Sequence, residues 1–270
     1  MNEPLIIAHR GASALAPENT LAAFKRAIEV GADGVEFDVR LSKDGVPVVI
    51  HDATLLRTAG VNERVTDLTA EQLSRLDAGS WFNIAHPRHA RAEFAAEGIP
   101  RLRSVLELLE GVDGPIYLEM KCESEREVSS IVDAVCRDVA GSSLLKRVII
   151  ESFHLAVIPQ TRAILPGVQT AALFAPKIMR LLRKEKYLIN IAHELGADHL
   201  SVHKALVSRK LVRQAEKHGM SITVWTVNTA RWVTRAAKRR LYGVITDDPS
   251  KLLRSRESML RRQRERETPA

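Results

Sequence analysis

Along this chain, apolar and polar residues alternate over short stretches, and between those stretches apolar residues recur every three to four positions. The first period marks strands and the second marks helices. Eight segments read as strands: LIIAH (5–9), GVEFDVRL (34–41), IYLEMK (116–121), RVIIES (147–152), QTAALF (169–174), DHLSV (198–202), SITVWT (221–226) and YGVIT (242–246). Helical patterns lie between most of them, among them LAAFKRAIEV, LRSVLELLEG, EVSSIVDAVCRDV, LVSRKLVRQAEKHG and NTARWVTRAAKRR. Strand and helix alternate eight times within 270 residues, which predicts an α/β fold, the TIM (β/α)8 barrel; a doubly wound open sheet is the alternative.

The alternation is interrupted at about residues 44–100, which read as a small insertion after the second strand, above the barrel mouth. This insertion opens on a turn signal, Asp44-Gly45. As a two-residue hairpin loop it pairs Lys43 with Val46 and Ser42 with Pro47, and sets Asp38 opposite His51 on one face. Pro47 then falls at a pair without ladder bonds, where its missing N–H is harmless. A three-residue turn with a bulge is the rival; it shifts the register by one and turns His51 away.

The second strand carries Val35, Phe37, Val39 and Leu41 on one face and Glu36, Asp38 and Arg40 on the other. A barrel interior is normally filled by branched apolar side chains, and an unpaired buried carboxylate is costly, so something cationic must accompany the acids. The third strand repeats the pattern, with Tyr117, Glu119 and Lys121 on one face. Glu36, Asp38 and Glu119 are therefore expected to converge over the barrel with Lys121 beside them. Three carboxylates without a cysteine suit a hard cation, Mg²⁺ or Ca²⁺. The competing reading is an internal ion-pair network in which Arg40 and Lys121 neutralise the acids.

The first strand ends at His9 and Arg10, with Pro17, Glu18 and Asn19 leading into the first helix. A histidine can exchange a proton near neutral pH, so His9 and His51 at strand ends among carboxylates make a candidate acid and base pair. Arg10 and Lys121 add fixed positive charge that suits a phosphate. The set describes phosphate ester cleavage. No GxxxxGK[ST] or GxGxxG motif is present, so a kinase or dehydrogenase reading has no support. Aldol or enolisation chemistry would use the carboxylates and Lys121 but needs neither two histidines nor the arginine.

Composition narrows the setting. With 45% hydrophobic residues the chain can bury a full core. The start lacks the basic, apolar and small-residue regions of a secretory signal, and no apolar run is long enough to span a membrane, so a cytoplasmic protein without stable membrane insertion is expected. Cys122 and Cys136 are too few for a disulfide framework, lack zinc spacing and read as packing residues. The net charge of +7 gathers at 177–186, 235–240 and 254–266. These runs read as solvated helix faces and a tail rather than as a binding patch, and no nucleic-acid partner is expected.

HRGASALAPENTLAAFKRAIEVGADGVEFDVRLSKDGVPVVIHDATLLRTAG, with VTDLTAEQLSRLDAG, YLEMK, ESF, VWTVN and GVITDDP, resembles the glycerophosphodiester phosphodiesterases over residues 5 to about 252. The resemblance implies a barrel domain over 1–253 with the insertion inside it, and a basic tail at 254–270. It makes His9 and His51 the catalytic acid and base, Glu36, Asp38 and Glu119 the metal ligands, and Arg10 and Lys121 the phosphate ligands. Phe153 and Trp225 would line the apolar or glycerol side of the substrate. It implies hydrolysis of small glycerophosphodiesters to sn-glycerol 3-phosphate and an alcohol, with water or the substrate's own glycerol hydroxyl as nucleophile. Two alternatives remain. One is a lysophospholipase D or sphingomyelinase-D-like enzyme acting on lipid, for which the basic, apolar-interleaved IMRLLRKEKYLI (178–189) would be the cue. The other is a non-catalytic phosphate- or nucleic-acid-binding barrel. IPRLRSVLELL, where family members commonly show IPTLEEVL, and the basic region 176–196 depart from the family pattern. His203, on one face of the sixth strand with His199 and Ser201, is a candidate substrate contact.

Overall fold

The computed structural model describes residues 3–179 and 184–267. Eight parallel strands close a barrel: β1 Leu5–His9, β2 Gly34–Leu41, β4 Ile116–Met120, β5 Val148–Ser152, β6 Gln169–Phe174, β7 His199–His203, β8 Ser221–Trp225 and β9 Gly243–Thr246. β1 pairs with both β2 and β9, which completes the circle. The eight predicted segments are these eight strands. The five quoted helical patterns hold the helices Leu21–Glu29, Leu102–Leu108, Glu125–Ala140, Arg209–Lys217 and Arg231–Arg239.

Strand periodicity divides the core into two shells. Val35, Phe37 and Val39 of β2, with Leu118 and Met120 of β4, face outward and pack on Phe24, Leu102, Val105, Val128 and Val132 from the helices. Inward, Ile7, Tyr117, Ile149, Ala171 and Ile245 fill the barrel. The buried Tyr117 hydroxyl finds a partner across the lumen in Thr223 Oγ1, at 2.6 Å. Above this apolar layer, the inward positions at the carboxyl ends of the strands become charged.

The insertion begins with a short antiparallel strand, β3 Pro47–Val49. Its register corrects the expected hairpin: Leu41 faces Pro47, Arg40 faces Val48 and Val39 faces Val49. The loop has three residues, Lys43 to Gly45, closed by the Ser42 N–H on Val46 O at 3.0 Å, with Gly45 at φ +71°. That left-handed glycine makes the rival turn. Pro47 still sits at a pair without ladder bonds, now facing Leu41. Ile50, not His51, lies opposite Asp38, its N–H donating to Asp38 O at 2.9 Å. The insertion then builds a small core of its own from Val48, Ile50, Leu55, Val65, Leu73 and Ile99. Arg101, in the stretch that departs from the family pattern, holds Glu71 of this subdomain at 3.3 Å.

The candidate catalytic site

The chain leaves β1 through two consecutive left-handed residues, Arg10 (φ +54°) and Gly11 (φ +76°). A Cβ at Gly11 would lie 2.6 Å from the Ala23 backbone, so the close approach requires glycine. This turn sets His9 beside Glu36 and aims the Arg10 N–H at Glu36 Oε2, at 3.1 Å. Asn19, also left-handed (φ +59°), returns to donate from Nδ2 to Asp38 Oδ2 at 2.9 Å.

Glu36, Asp38 and Glu119 are buried and can bring one oxygen each within 4.8 Å of the others, as the register Asp38 to Glu119 dictates. Lys121 Nζ lies 3.0 Å from Asp38 Oδ1 and 2.8 Å from Glu119 Oε1. Arg10 Nε lies 3.1 Å from Asp38 Oδ2. Arg40 takes no part in neutralising the acids; its Nε donates to His51 O at 2.8 Å and its Nη1 reaches Glu123 at 3.5 Å. The ion-pair network is therefore built on Asp38. Although burial opposes it, Lys121 and Arg10 hold the Asp38 carboxyl far below the usual carboxylate range. Glu36 is pushed up to about 8, by burial and by the charges of Asp38 and Glu151, and Glu119 up to about 7, by burial and Asp38. Two of the three acids thus lack sufficient positive charge. An all-oxygen donor set with this deficit fits a hard divalent cation.

The two histidines are held alike. His9 Nδ1 is 2.5 Å from Asp247 Oδ1, and Asp247 in turn accepts from Asn228 Nδ2 at 2.5 Å. His9 Nε2 faces Glu36 Oε2 at 3.8 Å. His51 Nδ1 is 2.6 Å from Asp52 Oδ1. His51 enters the cleft even though the register differs from the two-residue turn, because the Ile50 N–H makes the last ladder bond and the chain departs from the ladder after it. Asp52 is itself clamped by Arg57 Nε at 2.6 Å, and Arg57 grips both Glu18 oxygens at 2.7 and 2.9 Å. Glu18 closes the circuit on Arg10 Nη1 at 2.8 Å. Burial lowers the His51 pKa, helped by Lys121 and Arg10 and opposed by Asp38. Burial works the same way on His9, but Glu36 and Asp247 outweigh it and raise its pKa.

One cleft of about 120 Å³ is lined by His9, Arg10, Glu36, His51, Glu119, Lys121 and Glu151, and on its other wall by Phe153 and Trp225. The two aromatic rings meet edge to face, with centroids 5.6 Å apart, and Lys121 Nζ lies 5.9 Å from the Phe153 ring. His203 is outside that lining and packs on Trp225 at 5.2 Å, whereas His199 is buried between Tyr117 and Tyr242. Residues 180–183 of the stretch 178–189 lie outside the described residues.

Sequence reasoning missed Glu151, buried and pushed up to about 8 by burial and by Glu119, and the supporting acids Glu18, Asp52 and Asp247. Two of them carry a signal in the sequence: Glu151 stands two residues after Ile149 on the inner face of β5, and Asp52 directly follows His51; Glu18 and Asp247 carry none.

The family model described as "Glycerophosphoryl diester phosphodiesterase family" matches residues 9–251. The glycerophosphodiester phosphodiesterase of Caldanaerobacter subterraneus is 35% identical over 92% of this chain and 96% of its own length. That of Bacillus subtilis is 30% identical over 91% and 84%. Among solved structures, a phosphodiesterase of Oleispira antarctica in complex with the product sn-glycerol-3-phosphate superposes with a TM-score of 0.81 at 26% identity, covering 94% of this chain and 96% of that one. A putative glycerophosphoryl diester phosphodiesterase from Silicibacter pomeroyi gives 0.86 at 26% identity, over 96% and 95%.

Proposed function

Since the chain belongs to the glycerophosphoryl diester phosphodiesterase family, we propose that this cleft cleaves glycerophosphodiesters to sn-glycerol 3-phosphate and a free alcohol. The observation that carries the reading is the meeting of two aspartate-anchored imidazoles, three carboxylates, Arg10 and Lys121 around one cleft. The product named in the Oleispira antarctica complex agrees with it.

Glu36, Asp38 and Glu119 would hold a divalent cation, Mg²⁺ or Ca²⁺, which when bound would supply Lewis-acid polarisation of the phosphoryl oxygens. Arg10 and Lys121 supply fixed donors to the same oxygens as charge builds on them. His9 and His51 each have Nδ1 engaged by an aspartate, which leaves Nε2 to exchange protons with the substrate. One imidazole takes the proton of the nucleophile, water or the substrate's own glycerol hydroxyl, and the other returns a proton to the departing alcohol; after attack by the hydroxyl, water opens the cyclic phosphate to sn-glycerol 3-phosphate. Asp247 and Asp52 fix the ring orientations and stabilise the imidazolium form. Phe153, 45% exposed, and Trp225 give the glycerol or alcohol an apolar wall.

The test is turnover of glycerophosphocholine with enzymatic detection of sn-glycerol 3-phosphate, with lysophosphatidylcholine run in parallel. Release of the phosphate monoester, silenced by chelation, is expected. Preference for the lysolipid would move the chain to a lipid phosphodiesterase. Phosphorus NMR of a His51 variant distinguishes the nucleophiles, since attack by the substrate's own hydroxyl leaves a cyclic phosphate.

A further inference from the structure

Away from the cleft, the helices Arg209–Lys217 and Arg231–Arg239, with Arg240 beyond the second, carry nine cations against one acid, Glu216. Without this pair of helices, the chain's net charge of +7 falls to −1. A large share of the molecule's basic excess is therefore gathered on this one face. None of the nine makes an ion pair among the described residues, and all but the half-buried Arg239 are exposed.

Nor are the nine cations spread evenly over a convex surface. Arg209, Arg231, Arg235, Lys238 and Arg239, with Thr234, line a groove of about 510 Å³. Arg235 and Arg239 both donate to the Val207 carbonyl, at 3.5 and 2.5 Å, so two like charges are pinned side by side. The Arg235 guanidinium carbon also lies over the Trp232 ring, 4.3 Å from its centroid. Fixed guanidinium forks of this kind match phosphate oxygens, and like charges held together without acids are relieved by an anionic ligand. The basic surface continues onto the helix Pro249–Glu267, joined to this face by Ser255 Oγ on Ala230 O at 3.3 Å.

We propose that this groove docks the protein onto anionic phospholipid surfaces, its cations taking the lipid phosphates. The choice of lipid over nucleic acid has two grounds. No exposed aromatic side chain stands among the nine cations on which a base could stack, since Trp232 is buried beneath Arg235. The second ground rests on the function proposed above: a glycerophosphodiester is a glycerophospholipid from which the acyl esters have been hydrolysed, so the reaction that supplies the substrate works at a membrane. Adsorption by charge alone needs no inserted segment, and no described helix is long and apolar enough to cross a bilayer.

The experiment is co-sedimentation of the full chain with vesicles of phosphatidylcholine alone and of phosphatidylcholine mixed with phosphatidylglycerol. Binding is expected to the mixed vesicles only, and to be reversed by salt. In the variant Arg209→Gln, Arg231→Gln, Lys238→Gln, built from exposed side chains of the groove and leaving Arg235 and Arg239 on Val207 and Trp232 in place, partitioning should fall on the order of 100-fold, roughly fivefold per cation. Its turnover of glycerophosphocholine without vesicles should be unchanged, which certifies the fold. The proposal is overturned if the wild type ignores the mixed vesicles, if the variant binds them as well, or if an oligonucleotide binds more tightly at the same salt. Absence of diesterase turnover would instead sink the substrate reading, because vesicle binding is measured without it.

Discussion

The barrel mouth and the Arg209–Arg240 face hold charge in opposite ways. At the mouth, Arg10, Arg57 and Lys121 each touch an acid within about 3 Å, and even the histidines have aspartates. On the basic face nine cations have no acid paired with them among the described residues. The mouth spends folding energy on burying acids, several of which stay short of positive charge, and that deficit is what a cation and a phosphate diester can use. The basic face buries almost nothing, so its charges cost little and remain free for a distant, screened attraction. Paired, buried charge and unpaired, exposed charge thus occupy separate surfaces.

Four interventions test this contrast, in order of expected size. Asp38→Ala strips Lys121 and Arg10 of their shared partner, and breaking a buried ion pair of this kind costs roughly 3 to 5 kcal/mol. Chemical denaturation should show that loss, and calorimetric titration should show no divalent metal binding. A variant as stable as the wild type would mean the network is slack. Next, His9→Ala or His51→Ala should reduce kcat on the order of 100-fold or more while leaving the melting temperature nearly unchanged. Near-normal turnover removes that residue from the chemistry.

The third intervention is pH. Glu36, Glu119 and Glu151 have folded-state values raised to about 8, 7 and 8 from an ordinary 4.5. The folded state therefore binds more protons than the unfolded one between those limits, and stability must fall as pH rises through that window. With chelator present, melts recorded from pH 5 to pH 8 should decline; with saturating Mg²⁺ or Ca²⁺ the decline should shrink, since the metal takes the place of the protons, and metal affinity should rise with pH. Chelated melts that stay level with pH would show that the acids are already neutralised by Lys121 and Arg10. Smallest at the mouth, Arg57→Gln frees Asp52 and lets the His51 ring wander, which should lower kcat on the order of tenfold to 100-fold with KM little altered. Arg57→Lys should restore part of that rate. An unchanged kcat would make the Glu18–Arg57–Asp52 clamp purely structural.

The barrel was legible because its strands are short, apolar and β-branched and its helices keep their period. The acids of β2 and β4 were legible for the same reason: a two-residue period obliges Glu36 and Asp38 to share a face with each other, and Glu119 with Lys121. What could not be read was local geometry decided by one backbone torsion. Asp44-Gly45 is a good two-residue hairpin signal, yet here Gly45 supplies the left-handed position of a three-residue loop and the ladder slips by one. The inference that such a slip would turn His51 away failed as well, because pairing stops before that residue and its ring is placed by Asp52 and by Arg40 on its carbonyl. Arg40 illustrates a related limit. Strand parity put it with the acids, but at the strand end its long side chain reaches Glu123 instead. The supporting acids Glu18, Asp52 and Asp247 come from three separate loops, and no periodicity connects them.

The most direct test of the account is a crystal of the protein soaked with Mn²⁺ and measured at an anomalous wavelength. One ion is expected, bound by carboxylate oxygens of Glu36, Asp38 and Glu119 at roughly 2.0 to 2.6 Å as hard cations require, with the imidazoles of His9 and His51 facing it across the cleft. An ion-free cleft with Lys121 and Arg10 still seated on Asp38, in a protein fully active in chelator, would contradict it.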